Sequence, residues 1–370
     1  MLHHIPFQER KTPWRGVLDL VTGRYPVFLF GGQVGNLLPM FHFHDVTTAY
    51  LTPYFKYLAE NRYRTVNAED IAGFVRDGRH PGPRTVALCF DDAWASLWTV
   101  VLPLLQKHNL TAISYAIPGR VADAAAPRPQ TDHATHTGPP LATWPELRAL
   151  QSSGLVDVQA HTHTHAMIFC HDQPCGFITP AYRPAALAEP FTGTAEAPAF
   201  LQSHDLGEPL YPLRSRCSDA RRFFPAPAAR QACRDHVAQH GGKAYFQTPQ
   251  WQLALIKIMR ADGGTWETPE DSVQAIREDL RLARATLNDK LATDTVRHLC
   301  FPWAIAGQQA EALARELGYQ TAVADRLGGK RAVQAGGNPF RLMRLKHQFI
   351  FALPGQPRRT FLQIRRKTRS

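Results

Sequence analysis

The chain has no long apolar run. Its most apolar early stretch, Pro26 to Phe30, is far too short to cross a hydrocarbon layer ~30 Å thick. A secretory signal needs a basic start followed by a continuous apolar stretch, and Met1 to Gly16 supplies neither, so a cytoplasmic location is expected. Paired cysteines are also missing. The six that occur are scattered at 89, 170, 175, 217, 233 and 300, as free thiols in a reducing compartment would be. Cys170 and Cys175 bracket His171 and Asp172, but a zinc site there lacks the second cysteine pair that such sites use. No internal repeat and no nucleic-acid reading motif is present, so no nucleic-acid partner is expected. Nothing in the chain defines an oligomeric state.

Acidic residues are absent from Gln356 to Ser370, where Arg358, Arg359, Arg365, Arg366, Lys367 and Arg369 supply six of the formal net charge of +11. Such a tail reads as a solvated extension or as a peripheral contact with an anionic membrane face. What is abundant is ordinary. With 44% hydrophobic and 20% charged residues among 370, the chain holds enough apolar surface for one large domain or two smaller ones.

Apolar strands alternate with amphipathic helices from residue 37 to 160. Leu37–His44, Thr85–Phe90, Ala112–Ile117 and Val156–Ala160 read as strands; the unbroken apolar run Thr85–Phe90 suits a strand buried on both faces. Thr48–Asn61, Ala68–Asp77, Ser96–His108 and Thr143–Ser152 read as helices, the last with Thr143 and Glu146 placed for a capping box. This order points to parallel βα units in a barrel or an open sheet. The rhythm breaks between Ala166 and Gly264, a proline-rich stretch read as an insertion or lid with one or two helices (Ala228–Gln239, Trp251–Met259). It resumes with a helix Pro269–Leu291 capped by Thr268, a strand Thr295–Phe301, a helix Gln308–Leu317, a strand Thr321–Ala324 and a last strand over Leu342–Phe351.

Two clusters of reactive side chains stand at strand ends. Asp91 and Asp92 close the apolar run that begins at Thr85. Two adjacent carboxylates there are costly to desolvate unless compensated. They read either as a helix cap ahead of Ser96 or as a metal ligand beside a proton acceptor. His161-Thr162-His163-Thr164-His165 follows the strand Val156–Ala160. An extended segment places all three imidazoles on one face, and a coiled one stacks His161 on His165. Either geometry can bring two imidazoles to one ion, and one added carboxylate completes a set that leaves open positions for water.

These motifs, in this order, resemble the polysaccharide deacetylase (NodB-homology) family. Its Thr-Phe-Asp-Asp-Gly motif is approached by Cys89-Phe90-Asp91-Asp92-Ala93, its His-Ser/Thr-x-x-His motif by residues 161–165, and its third motif by LCFPWAIAG at 299–307. The stretches 87–119 and 40–66 are similar to the family throughout. The resemblance implies a deformed (β/α) barrel of seven strands over residues 37–355, with an N-terminal extension over 1–36, the insertion over about 166–265 and the basic tail over 356–370. It implies removal of an N-acyl group, most often N-acetyl, from an amino sugar of a cell-surface glycan or its precursor. It implies Asp91 as general base and Asp92, His161 and His165 as ligands of a divalent metal, usually zinc.

The departures carry expectations of their own. Cys300 stands where the family often has the arginine that orients the base, so another cation must do that work, and Arg344 is the candidate. Leu345-Lys346-His347 matches the family's Leu-x-His, which makes His347 the expected proton donor, with His44 the rival and His42 on the same strand face. Trp303 stands where the family often places an aromatic, and it reads as a sugar platform or as core packing. His44 and Trp303 are thus the expected substrate contacts. A formamide, ureide or cyclic-amide hydrolase on the same scaffold, and a carbohydrate-binding relative without turnover, are the competing readings.

Overall fold

The computed structural model describes residues 21–130, 138–260, 263–325 and 330–367. The chain divides into two compact units. One is built on Thr164–Asp279 and Ile305–Leu313; the other holds the described residues up to His163, Leu280–Ala304, and those from Ala314 on.

The second unit is the barrel. In chain order it opens with β1 (Met40–Phe43), α1 (Thr48–Glu60), β2 (Arg64–Thr65), α2 (Ala68–Asp77), β3 (Thr85–Asp92), α3 (Leu102–His108), β4 (Ala112–Ala116), α4 (Trp144–Ser152) and β5 (Val156–Ala160). The helices start where their sequences provide caps. The Thr47 hydroxyl accepts from the Tyr50 amide, Asn67 and Asp70 form a reciprocal capping box, and Glu146 accepts from the Thr143 amide at 2.8 Å. All eight residues of β3 are buried, as its unbroken apolar run predicts.

The intervening unit contributes β6 (Met167–Phe169), β7 (Gly176–Phe177), β8 (Pro209–Leu210), β9 (Leu213–Ser215), β10 (Phe223–Pro225) and β11 (Gly264–Trp266), paired antiparallel as β6–β9, β7–β8 and β10–β11. Helices α5 (Pro227–Gln239) and α6 (Trp251–Arg260) lie between β10 and β11, and α7 (Pro269–Leu291) follows. The unit has its own packed centre, with Ala166, Ile168 and Phe191 buried together. The Arg216 guanidinium donates to both Glu267 carboxylate oxygens at 2.8–2.9 Å, with both side chains only 5% exposed. Such a pair needs hydrogen bonding to survive burial, and Ser272 supplies two further acceptors to Nη2. The stretch expected to be irregular is thus a folded unit of short strands. Its prolines and short apolar runs hide that, because two- and three-residue strands leave no periodicity to read.

The barrel resumes with β12 (His298–Cys300), α8 (Gln308–Glu316), β13 (Thr321–Val323) and β14 (Leu345–Lys346), and the chain closes with α9 (Phe361–Lys367). Seven strands follow one another in the order β13-β12-β5-β4-β3-β1-β14, every pair parallel, with β2 added beside β3. Leu342 bridges to Val323 three residues before β14, so the segment Leu342–Lys346 touches both ends of the row. This is the deformed seven-stranded (β/α) barrel that the resemblance implied.

Alternation along the strands fills the interior. Met40, Ala87, Cys89, Ile113, Tyr115, Cys300, Val323 and Leu342 form one buried cluster. The same parity, two residues further on, turns His42 and Asp91 inward above that cluster, at the carboxyl ends of β1 and β3.

The last strand is shorter than expected. The run Leu342–Phe351 forms only β14 before a 3-10 turn over His347–Ala352 that buries Phe349, Ile350 and Ala352. An apolar run of that length fits a buried turn as well as a strand. The helix expected over Ser96–His108 begins with a π turn, Leu97–Val101, ahead of α3.

Part of the N-terminal extension, residues 1–20, lies outside the described residues, as do Thr368–Ser370 of the basic tail. Two tail residues serve the fold. Arg358 donates to the carbonyls of Phe28, Gly31, Gly32 and Ala352, and Arg359 stacks on Phe351. Among the described residues no helix is long and apolar enough to cross a membrane.

Candidate active site

β3 carries both aspartates to the rim of the barrel, and the chain then turns sharply: Asp92 and the following Ala93 adopt φ of 70° and 54°. A left-handed backbone at a non-glycine residue costs roughly 1–2 kcal/mol and gathers at functional turns. Thr162 (61°), His165 (55°) and Trp303 (54°) repeat the pattern in the loops after β5 and β12. The aspartates are not a helix cap. Asp91 is gripped by Arg344, whose Nη1 and Nη2 donate to Oδ1 and Oδ2 at 2.6 and 2.7 Å. Asp92 Oδ2 accepts from the Trp94 indole Nε1 at 3.0 Å.

The two carboxylates therefore have distinct environments. Burial alone would push the Asp91 carboxyl up. The charge and hydrogen bonds of Arg344 outweigh it and hold Asp91 well below the usual carboxylate range, so it is an anion at every physiological pH. Arg344 enters two residues after Leu342, packs within 5.9 Å of the Tyr115 ring centroid, and is 7% exposed.

Asp92 faces an imidazole. His161 Nε2 lies 3.4 Å from Asp92 Oδ1, while His161 Nδ1 donates to the Cys300 carbonyl at 2.6 Å. That donation fixes the tautomer and turns the Nε2 lone pair toward the carboxylate. Two donors bound at ~2.0–2.2 Å to one tetrahedral ion stand roughly 3.3 Å apart, so the observed spacing fits a shared metal. The Trp94 bond to the other oxygen is the kind of outer contact that orients a ligating carboxylate. Burial opposes a charge on His161, but Cys300, Asp92 and Asp91 outweigh it and push its affinity for a proton well above the ordinary value.

His165 belongs to the other unit, where its Nδ1 meets the Leu187 carbonyl at 3.1 Å, the same anchoring that His161 has. Four residues of chain tether it to His161, a reach of at most ~14 Å. Among the described residues, His42, His44 and Asp91 also lie close enough to share an ion, as do Asp91, His161 and Cys300. The guanidinium on Asp91 argues against a cation at either place. Cys170 and Cys175 appear in no such group.

Two histidines compete for the role of proton donor. His44 Nε2 lies 3.8 Å from Asp91 Oδ2 and its side chain is 55% exposed. His347 is boxed in. Its ring stacks on Phe43 at 4.8 Å, Nδ1 meets the His42 carbonyl at 3.1 Å, and Nε2 is bonded to the Tyr50 hydroxyl. Burial lowers its proton affinity. His42 is half-buried, and the loss of solvent around its ring and then Arg344 push it well below the ordinary value, so it stays neutral. Trp303 sits half-buried in the turn after β12.

Sequence reasoning singled out Asp91, Asp92, His161, His165, Arg344, His44, His347 and Trp303; it missed Trp94, Tyr115 and Tyr50. Trp94 was within reach, since an indole N–H two residues after a carboxylate at a tight turn has few other partners. Tyr115 is aligned with Asp91 across the β3–β4 pair, a register that no local pattern discloses.

The scaffold is a deformed (β/α) barrel that gathers carboxylates, imidazoles and a guanidinium at its strand ends. Residues 78–183, which carry both motifs, match the model of the polysaccharide deacetylase family. Two curated relatives, the poly-beta-1,6-N-acetyl-D-glucosamine N-deacetylases of Escherichia coli K12 and O157:H7, are each 32% identical over 126 residues. That match covers 32% of this chain and only 18% of either relative. The BpsB deacetylase domain from Bordetella bronchiseptica shares the fold, with a TM-score of 0.54 and 17% identity over 85% of this chain and 96% of that one.

Proposed function

We propose that the protein is a metal-dependent amidohydrolase that removes N-acetyl groups from the amino sugars of a glycan or its precursor. The observation that carries this reading is the pair His161 Nε2 and Asp92 Oδ1, 3.4 Å apart and each oriented by a second hydrogen bond, beside a carboxylate held ionised by Arg344. The polymer named for the two Escherichia coli relatives, a β-1,6-linked N-acetylglucosamine chain, gives the substrate class.

In this reading Asp92, His161 and His165 hold the ion, and two imidazoles with one carboxylate suit zinc. When bound, the metal polarises the acyl carbonyl and acidifies a water at the same centre. Asp91 takes the proton from the attacking water. Its two bonds to Arg344 fix the direction of the carboxylate and keep it unprotonated. The departing amine needs a proton, and His44 is the donor, since it is exposed and near Asp91 while both ring nitrogens of His347 are engaged. Trp303 offers a half-buried ring to the sugar.

The test is acetate release from β-1,6-linked N-acetylglucosamine oligomers and from N-acetylated nucleotide sugars. The wild type should release acetate and Asp91→Asn should not. Release of formate or ammonia from matching substrates, with no acetate from any sugar, would transfer the reading to a formamide or ureide hydrolase. The basic residues beyond Thr360 are assigned, in the same proposal, to an anionic membrane surface. Reversing Arg365, Arg366 and Lys367 to glutamate should abolish partition onto anionic liposomes, and unchanged partition would end that assignment.

A further inference from the structure

We propose that Tyr50 is a sugar-stacking residue beside the reacting centre, and that His347 and Tyr54 are positioning residues that hold its ring in place. The proposal rests on the glycan-deacetylase reading and adds to it a specific subsite.

Tyr50 lies in the first turn of α1, just past the carboxyl end of β1, the rim on which His44 stands. It is 45% exposed. An exposed tyrosine ordinarily samples several rotamers, but this one is held from three sides. Its hydroxyl is bonded to His347 Nε2, across a sequence separation of 297 residues. Its ring meets the His347 ring edge-on, at 5.5 Å between centroids, and the Tyr54 ring at 5.7 Å.

His347 Nδ1 faces the His42 carbonyl, which can only accept, so Nδ1 carries the ring proton. His347 Nε2 is then an acceptor, and the Tyr50 hydroxyl donates to it. The Tyr54 ring packs on the Tyr50 ring from the other side. Each link has one direction, so the network fixes the hydroxyl and the plane of the ring together.

Such a network is more than packing requires. A phenylalanine would fill the same space without the hydroxyl bond to His347, and partly buried polar groups are costly when left unpaired. What the network achieves is an exposed aromatic face with its rotamer already fixed. A fixed face loses little conformational entropy when a flat, weakly polar partner settles on it. The partner of that chemistry is the C–H face of a pyranose ring, at the sugar next to the one whose acyl group is cut. Both nitrogens of His347 are committed, one to Tyr50 and one to the His42 carbonyl, so in this proposal His347 holds Tyr50 and leaves the part of proton donor to His44.

The experiment measures kcat and KM of the metal-loaded enzyme on a β-1,6-linked N-acetylglucosamine pentamer, together with pentamer binding by calorimetry. Tyr50→Ala should raise KM and Kd about tenfold and leave kcat within about twofold. Tyr50→Trp should restore both. His347→Gln, which can still accept from Tyr50, should lie near the wild type, whereas His347→Ala should follow Tyr50→Ala, and the double variant should be no worse than either single one. A hundredfold loss of kcat at unchanged KM in both His347 variants would make His347 a catalytic residue and overturn the proposal. Wild-type turnover with Tyr50→Ala unaffected would overturn the subsite alone. A wild type that neither binds nor deacetylates the pentamer would overturn the glycan reading and the subsite with it.

Discussion

Replacing Arg344 by methionine tests the electrostatic centre of the site. The guanidinium and the Asp91 carboxylate are 7% and 4% exposed and meet through two bonds of 2.6 and 2.7 Å. Breaking a buried pair from one side leaves the other charge without compensation, a loss of about 3–5 kcal/mol. Removing the carboxylate as well, in Asp91→Asn/Arg344→Met, should recover a large part of that loss, because no buried charge then remains. Urea denaturation of the wild type, both single variants and the double variant closes the cycle.

The same substitution should move the acid limb of activity. Asp91 has its folded-state proton affinity lowered, so its stabilising contribution is complete above the unfolded value of ~3.9 and is lost only as pH falls below it. Near neutrality the wild type therefore shows no trace of this titration. Without Arg344 the burial that opposes the anion is unbalanced, Asp91 rises toward neutral pH, and kcat/KM of Arg344→Met should decline on acidification where the wild type stays flat. A stability loss under ~1 kcal/mol, strict additivity in the cycle, or identical pH profiles would refute the reasoning.

Three further outcomes follow from separate parts of the barrel. Burial, helped by Arg297 and opposed by Asp157, lowers His298 to about 4 from 6.5. The unfolded chain then takes up that proton first, and stability should fall by about 3 kcal/mol between pH 6.5 and 4, a slope that His298→Gln flattens in thermal melts. Ala93, at φ 54°, occupies the position where the family has glycine. Ala93→Gly should raise the unfolding free energy by about 0.5–1 kcal/mol in urea, and a loss instead would show that the turn is not strained. Trp94→Phe keeps the ring but drops the bond to Asp92. Metal affinity measured by competition with a chelator should weaken ~10-fold, and unchanged affinity would remove Trp94 from the outer shell.

The sequence disclosed what repeats or stands at an element boundary. β3 was legible as an apolar run, α4 by its capping box, and the paired aspartates and clustered histidines by the oddity of placing them at strand ends. β14 was not legible, because two residues carry no period and the apolar letters after it belong to a buried turn. The short strands between Thr164 and Asp279 were lost for the same reason. Within the site, Arg344 could be singled out because Cys300 left a carboxylate without a cation. Its bidentate grip depends on the register of Leu342–Lys346 between β13 and β1, a property of barrel closure rather than of any local stretch. Tyr50 and His347 lie on opposite sides of nearly the whole chain, and only the closed barrel makes them neighbours.

The most direct test of the account is metal content measured together with acetate release, for the wild type and for His161→Ala. The account predicts about one tightly bound divalent ion per chain in the wild type. In the variant the ion and acetate release from N-acetylated glycan should be lost together, with the fold retained by circular dichroism. A folded wild type that binds no divalent metal, or a His161→Ala variant that keeps both the ion and the activity, would contradict it.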